Sequence, residues 1–273
     1  MRQLSSHHRL LSLLEYFSLE KPSWTADEII DQSGMARSTV YRYLKTLCEF
    51  SLLENIGNDQ YILGARFTVM DHVIRSCDPF LQIAEPEVRW LSERTGFTVS
   101  LTRLIQEQMV GVLIVRGRNS LEVGYDRGEL LSLFKGCTGK VILAHLPRRI
   151  LLKLYDSQKE KLKALGLGGD WNEFLKTIRS VSKLKSFSTQ GEIQSGNLGI
   201  AAPIFGKGKQ IMGSMTLIMR EEDSVDLDLK WVHQNVEVVA ERISDHLRIL
   251  DLQKNEKQAP QKLLKGSSVF NES

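Results

Sequence analysis

The stretch SGMARSTVYRYLKTL, Ser33 to Leu47, decides how the first part of the chain folds. Gly34 suits a left-handed turn. Arg37-Ser38-Thr39 then gives a polar start to a helix. Val40, Leu44 and Leu47 recur at the intervals of one packed helical face. Tyr41, Arg42 and Lys45 fall on the opposite side, and residues 36–48 carry three positive charges and no acid. This is either an ordinary amphipathic helix with a basic outer face or a helix that enters DNA. Its neighbours favour the second. Upstream, Leu10, Leu11, Leu13, Leu14 and Phe17 predict a helix over about residues 6–18, which Pro22 ends. Thr25 to Glu28, TADE, matches a capping box and opens a short second helix that stops at Ser33-Gly34. Downstream, SLLENI and QYILG are β-prone runs separated by Gly57-Asn58-Asp59, a hairpin signal. Helix, helix, turn, helix, hairpin is the winged helix-turn-helix pattern.

The whole chain sets weaker bounds. Its 273 residues, 42% of them hydrophobic, are enough for two folded domains with real cores. A net charge of +3 permits nucleic-acid binding without arguing for it. Residues 1–64 hold six basic and eight acidic side chains, so the distribution matters rather than the sum. A positive stripe on one helix is the footprint that phosphate contacts need. Cys48, Cys77 and Cys137 are odd in number and far apart. They form neither a metal-type pair nor a disulfide framework, which fits a reducing, cytoplasmic setting. The N-terminal MRQLSSHHRLLSLLEYF is interrupted by Glu15 and lacks a cleavage site, and no apolar run approaches the roughly 18 residues of a membrane span. No nucleophile elbow, HExxH helix or phosphate loop is present, and the six histidines are scattered. No enzyme activity, cofactor, metal or membrane partner is therefore expected. A metabolite-converting enzyme is the rival class, and turnover in a DNA-free assay would identify it.

RFTVMDHVIRSC, residues 66–77, is helical in period, and Pro79 and Pro86 punctuate the segment after it. This predicts a DNA-binding domain over 1–65, a linker helix over 66–78, a second domain over 79–253 and a disordered polar tail over 254–273. The second domain alternates. EVRWLSERTG is helical, FTVSLTRLI and QMVGVLIVRG are strands, and LEVGY is a candidate third strand. GKVILAHL, RRILLKLYD and DWNEFLKTIRSVSKL are helical, NLGIAAPIFG and QIMGSMTLIM form a hairpin around KGK, and a long helix closes the domain.

At these residues the chain resembles a known family. MARSTVYRYLKTLCEFSLLE is similar to the recognition-helix region of the IclR family of bacterial transcription regulators. YILGARF resembles its wing exit, FKGCTGKVILAHLP its Gly-Lys helix start, and GNLGIAAPIFGKGKQIMGSMTLI its Ala-Ala-Pro strand and hairpin. The match runs in order over about residues 8–250. It implies an α+β protein: a winged helix-turn-helix joined by a linker helix to a GAF-like antiparallel-sheet effector-binding domain. It implies a ligand-responsive regulator of a catabolic operon that binds an inverted-repeat operator in double-stranded DNA as a homodimer or homotetramer. Arg37, Ser38, Thr39, Tyr41, Arg42 and Lys45 become the DNA-facing set. The wing departs from the family, which commonly carries arginines there. NIGNDQ has none and includes Asp59, so weak wing-to-phosphate contact is expected, with Arg66 as a partial replacement.

The resemblance also places a pocket for a small organic metabolite between the sheet and a helix start, lined by Leu121, Val123, Cys137, Thr138, Thr189, Gly199, Thr216 and Ile218. Free amides at the GCTGK helix start suit a carboxylate or carbonyl oxygen. Many relatives carry aspartate at Thr189 and cysteine at Gly199, and a serine can occur at Ile218. The expected pocket is therefore less polar, and roomier near Gly199. It should suit an aromatic or medium-sized carbonyl catabolite better than a very small acid such as glyoxylate. The alternative is a ligand-independent DNA-binding protein in which these are ordinary core residues of a degenerate sensor.

Overall fold

The structure is a computed structural model and describes residues 5–119, 121 and 123–258. The chain divides into two compact units, the second beginning at Pro79.

In the first unit, α1 (Ser6–Ser12) runs into a 3-10 turn, Leu13–Tyr16, so the first helix is shorter than its apolar pattern suggests. The short strand β1 (Ser23–Thr25), which the sequence pattern does not signal, leads to α2 (Ala26–Ser33). The Thr25 side chain accepts from the Glu28 amide while the Glu28 carboxylate accepts from Thr25, a complete capping box. Gly34 ends α2 at φ 63°, the left-handed region that glycine enters freely. Helix α3 (Arg37–Glu49) buries Val40, Tyr43, Leu44 and Leu47 against Leu13, Ala26 and Ile29. Strands β2 (Leu53–Gly57) and β3 (Gln60–Leu63) make the wing, turning at Asn58 and Asp59 with positive φ at both, as a tight hairpin requires. β1 adds to β3. Helix α4 (Arg66–Cys77) buries none of its residues and exposes Phe67, Val69, Met70, Val73 and Ile74.

The second unit is a six-stranded antiparallel sheet. Helix α5 (Pro79–Thr95) precedes β4 (Thr98–Ile105) and β5 (Gln108–Val115). Pro86 lies inside α5 rather than interrupting it. Leu121 and residues 123–125 run as a loop, and the third strand is instead the short β6 (Leu130–Leu131). A turn-forming Gly124 at φ 78° sits inside LEVGY, which opposes a strand there. Helices α6 (Gly136–Ala144), α7 (Arg148–Ala164) and α8 (Trp171–Ser182) come next. After them come β7 (Phe187–Gln190), β8 (Asn197–Phe205) and β9 (Ile211–Arg220). Helix α9 (Leu229–Gln258) continues into the segment expected to be a tail, and residues 259–273 lie outside the described residues. The strand order is β6-β5-β4-β9-β8-β7.

Helices pack against the sheet. α5 and α9 bury Phe80, Leu91, Val236 and Ile243 against Val99, Leu101, Ile200 and Leu217. Side chains alternate along a strand, so the neighbours of those strand residues turn to the other layer. There Thr98, Ser100 and Thr102 of β4 stand opposite Ile218, Thr216 and Ser214 of β9. This polar row lies in the layer of α6, which is where the candidate pocket forms.

Candidate functional site

On α3, the buried stripe leaves a polar face. Arg37, Ser38, Arg42 and Lys45 are exposed, and Thr39 and Tyr41 are half-buried. Arg37 Nη1 lies 3.1 Å from Asp27 Oδ1, and its Nη2 donates to Tyr41 Oη at 3.4 Å. Tyr41 Oη donates to Asp59 Oδ2 of the wing at 3.0 Å. Arg42 lies over the ring of Tyr43 at 5.6 Å, and Lys45 approaches Glu49 at 4.0 Å. The structure therefore brings Arg37 and Tyr41 together and spreads Arg42 and Lys45 along the same open surface. These are loose, solvated pairs, worth little as stability. The acids that meet Arg37 and Tyr41 belong to α2 and the wing respectively, and periodicity within one helix could not reveal them.

In the second unit, Val123, Cys137, Thr138, Thr189, Gly199, Thr216 and Ile218 line one cavity of about 40 Å³. The sheet register explains the grouping. Thr189 of β7 pairs with Gly199 of β8, Gly199 with Ile218 of β9, and Ile218 with Thr98 of β4, one row across four strands. Leu121 lies elsewhere: it lines an adjoining cleft of about 510 Å³ with Ser195, Gly196 and Arg220. Sequence reasoning missed Tyr125, Gly136, Glu192, Ile193, Gln194 and Asn197, which complete the cavity wall. Three of these sit on the loop between β7 and β8. A strand prediction at residues 187–190 would have exposed that loop as a hairpin turn.

Two expectations about the cavity are corrected. It is not roomier near Gly199: a Cβ on that residue would lie 2.8 Å from Cys137 Sγ, so the sulfur already fills the space. Nor are the amides of the α6 start free. Gly136 N–H donates to Glu192 Oε2 at 3.0 Å, and Cys137 N–H donates to Thr189 Oγ1 at 2.9 Å. Lys140 Nζ holds the same carboxylate at 2.6 and 2.7 Å. The wall also carries paired hydroxyls. Thr138 Oγ1 and Thr216 Oγ1 lie 2.8 Å apart, and Ser100 Oγ lies 2.7 Å from Tyr125 Oη. Burial pushes the Cys137 thiol up to about 11 and the Tyr125 phenol up to about 12, so both are neutral near pH 7.

A hydrolytic reading finds little support. Ser186 Oγ lies 2.7 Å from His233 Nδ1 and donates to Glu237 Oε1 at 2.6 Å. Its proton is directed to the carboxylate, not to an imidazole that could take it up, so the trio lacks the relay of an activated serine. Among the described residues no helix is long and apolar enough to cross a membrane.

A winged helix with a basic outward face, followed by an antiparallel-sheet unit with a cavity at a helix start, defines a DNA-binding regulator with a ligand-binding domain. The IclR helix-turn-helix domain model matches residues 6–57, and the model of the bacterial transcriptional regulator IclR C-terminal matches residues 72–245. The chain belongs to the IclR family and is a transcriptional regulator, not an enzyme. It is 25% identical to the HTH-type transcriptional regulator KipR of Bacillus subtilis over 236 residues, 86% of this chain and 93% of KipR. It is 24% identical over 205 residues to the p-hydroxybenzoate hydroxylase transcriptional activator of Acinetobacter baylyi, covering 71% and 73% of the two chains. Among solved structures, an IclR homologue of Microbacterium hydrocarbonoxydans complexed with 4-hydroxybenzoate shares the fold. Its TM-score is 0.70 at 17% identity, over 90% of this chain and all of that one.

Proposed function

We propose that this regulator binds an inverted-repeat operator as a homodimer or dimer of dimers, in the cytoplasm, and controls a catabolic operon in response to an organic acid. The division of α3 into a packed stripe and an open basic face carries the reading. Arg37, Ser38, Thr39, Tyr41, Arg42 and Lys45 would meet phosphates and base edges. One recognition helix reads too few base pairs for useful specificity, which supports two-fold binding. The exposed apolar residues of α4, together with Leu11 of α1, supply the unpartnered surface that a second copy would cover. The effector would occupy the cavity of Cys137, Thr138, Thr189, Gly199 and Thr216, with Leu121 at its approach. The relatives connected by name with 4-hydroxybenzoate support an aromatic acid as the first compound to try. Ligand binding to one arrangement of the sensor dimer would shift the population of DNA-competent forms.

The test is anisotropy on DNA from the chain's own promoter region, with a salt titration and light scattering, followed by a catabolite panel. Salt-sensitive binding by a dimer or tetramer, altered by an aromatic acid, is the expected result. A monomer that stays monomeric on DNA would overturn the assembly. One observation favours the rival, ligand-independent reading: about 40 Å³ is far below the roughly 300–1,000 Å³ of ordinary ligand sites. A panel that leaves operator affinity untouched would support that rival.

A further inference from the structure

The small cavity and the large cleft beside it are separated by one thin wall. Gln194 and Asn197 line both. The wall belongs to the loop 191–196, which has glycines at its two ends, Gly191 at φ 63° and Gly196 at φ 79°. Its base is tied by backbone: Gly191 N–H donates to Asn197 O at 2.8 Å, and Glu221 N–H donates to Gly196 O at 2.9 Å. Its top is held by side chains. Glu192 takes the Gly136 amide and the Lys140 ammonium. Ile193 covers Gly136 so closely that a Cβ there would lie 2.8 Å from Ile193 Cγ1, yet Ile193 is 48% exposed. Gln194, which lines both spaces, has its Oε1 buried without a partner. Below, on the cavity face of the sheet, Thr98 Oγ1 is also buried without a partner beside Ile218. A closed site with an unmet polar group on its lining and another behind Ile218 of its wall is suited to an occupant that the closed form has no room for.

We propose that loop 191–196 is a lid and Glu192 its latch: a carboxylate carried by the lid holds the two donors, Gly136 N–H and Lys140 Nζ, that an acidic effector needs, and the effector binds by displacing it. This rests on the reading of the effector as an organic acid. The exchange replaces one carboxylate by another, so Lys140, whose side chain is only 15% exposed, is never left buried and unpaired. Ile193 and Gln194 leave with Glu192, and the cavity then joins the cleft. A neutral ligand of the same shape opens the same room but leaves the ammonium without its counter-charge, which makes Lys140 the residue that selects acids. The closed form taxes every effector by the fraction of time the lid is shut.

The experiment uses the full chain with Cys48→Ser and Cys77→Ser, so that Cys137 is the one thiol left. Maleimide labelling of Cys137, 3% exposed on the cavity wall, reads the lid without any effector. Glu192→Gln is expected to speed labelling by about tenfold, well below its melting temperature, because a charge-assisted bond pair is lost. An unchanged rate overturns the latch. Calorimetry with 4-hydroxybenzoate is the second arm. Binding is expected to tighten about tenfold in Glu192→Gln and to be lost in Lys140→Gln. Equal affinity of parent and Glu192→Gln overturns the competition and leaves the acid reading standing. If benzoate, 4-hydroxybenzoate and 4-hydroxyphenylacetate bind neither protein, the acid reading falls and displacement falls with it. Accelerated labelling in Glu192→Gln would in that case sustain only the lid.

Discussion

Helices α3 and α6 use their first turns in opposite ways. The polar side chains of α3 point outward: Arg37, Ser38 and Arg42 stand in solvent, and the ion pair of Arg37 with Asp27 leaves both side chains about two-thirds exposed. Those of α6 point inward. Gly136, Cys137, Thr138 and Gly139 are buried; the Gly136 and Cys137 amides donate to Glu192 of the β7–β8 loop and Thr189 of β7, and the Thr138 hydroxyl pairs with that of Thr216 on β9. A surface for a polyanion can wait in water, since water satisfies it until phosphates arrive. A site for a small molecule has no such reserve. An unmet buried donor costs about 1–3 kcal/mol, so the chain supplies its own partner groups in the interim.

The largest expected effect tests the division of labour on α3. Leu44 is fully buried, and Leu44→Ala should cost the DNA-binding unit about 2–5 kcal/mol. Arg42→Ala, on the open side, should leave the melting temperature nearly unchanged. Thermal unfolding of the two variants checks this. Equal losses would mean that the open face of α3 also holds the fold together.

The next effect probes the inward site. Gly199→Ala should destabilise the second unit by about 1–3 kcal/mol, because the new Cβ meets Cys137 Sγ. Cys137→Ala removes that sulfur, so the double variant should recover part of the loss, with a coupling energy of about 0.5–3 kcal/mol in a denaturation cycle. Additive losses would show that Cys137 Sγ is not what fills the space.

The two helices also differ in how legible they were. On α3 everything needed is local. Apolar residues three and four apart fix the buried face, and what remains is the set proposed to face DNA. The capping box at Thr25 and the turn at Gly34 are equally local, and both stand as expected. The sensor site is built by register. Thr189, Gly199 and Ile218 become neighbours only once β7, β8 and β9 pair. Family resemblance named most of that row but said nothing of Glu192, whose role depends on a loop length and on Lys140 lying 52 positions away. Leu121 is outside the cavity for the same reason: it and residues 123–125 run as a loop that turns at Gly124.

On DNA, Arg42→Ala should weaken operator binding by about 1–3 kcal/mol if the guanidinium reads a base, or reduce the salt slope by about one unit if it holds a phosphate. Either result sharpens the picture of an open face. Unchanged affinity and salt slope, with the fold intact, would remove Arg42 from the interface.

The smallest expected effect lies where the open face is least open. Asp59 is the wing's acid, and its carboxylate accepts from Tyr41 on the face proposed to meet DNA. A negative charge there opposes phosphate, and the wing offers no arginine to offset it. Asp59→Asn keeps an oxygen that can accept from Tyr41 and removes the charge. Operator binding should therefore tighten by about 0.2–1 kcal/mol at low salt, the range of exposed charge pairs, and the gain should fade as the ionic strength rises. Anisotropy at two salt concentrations checks both the sign and the fading. Weaker binding at both would reverse the argument. Asp59 would then act by holding Tyr41 in place or by accepting from a cytosine amine, and the wing would belong to the reading surface rather than limiting it.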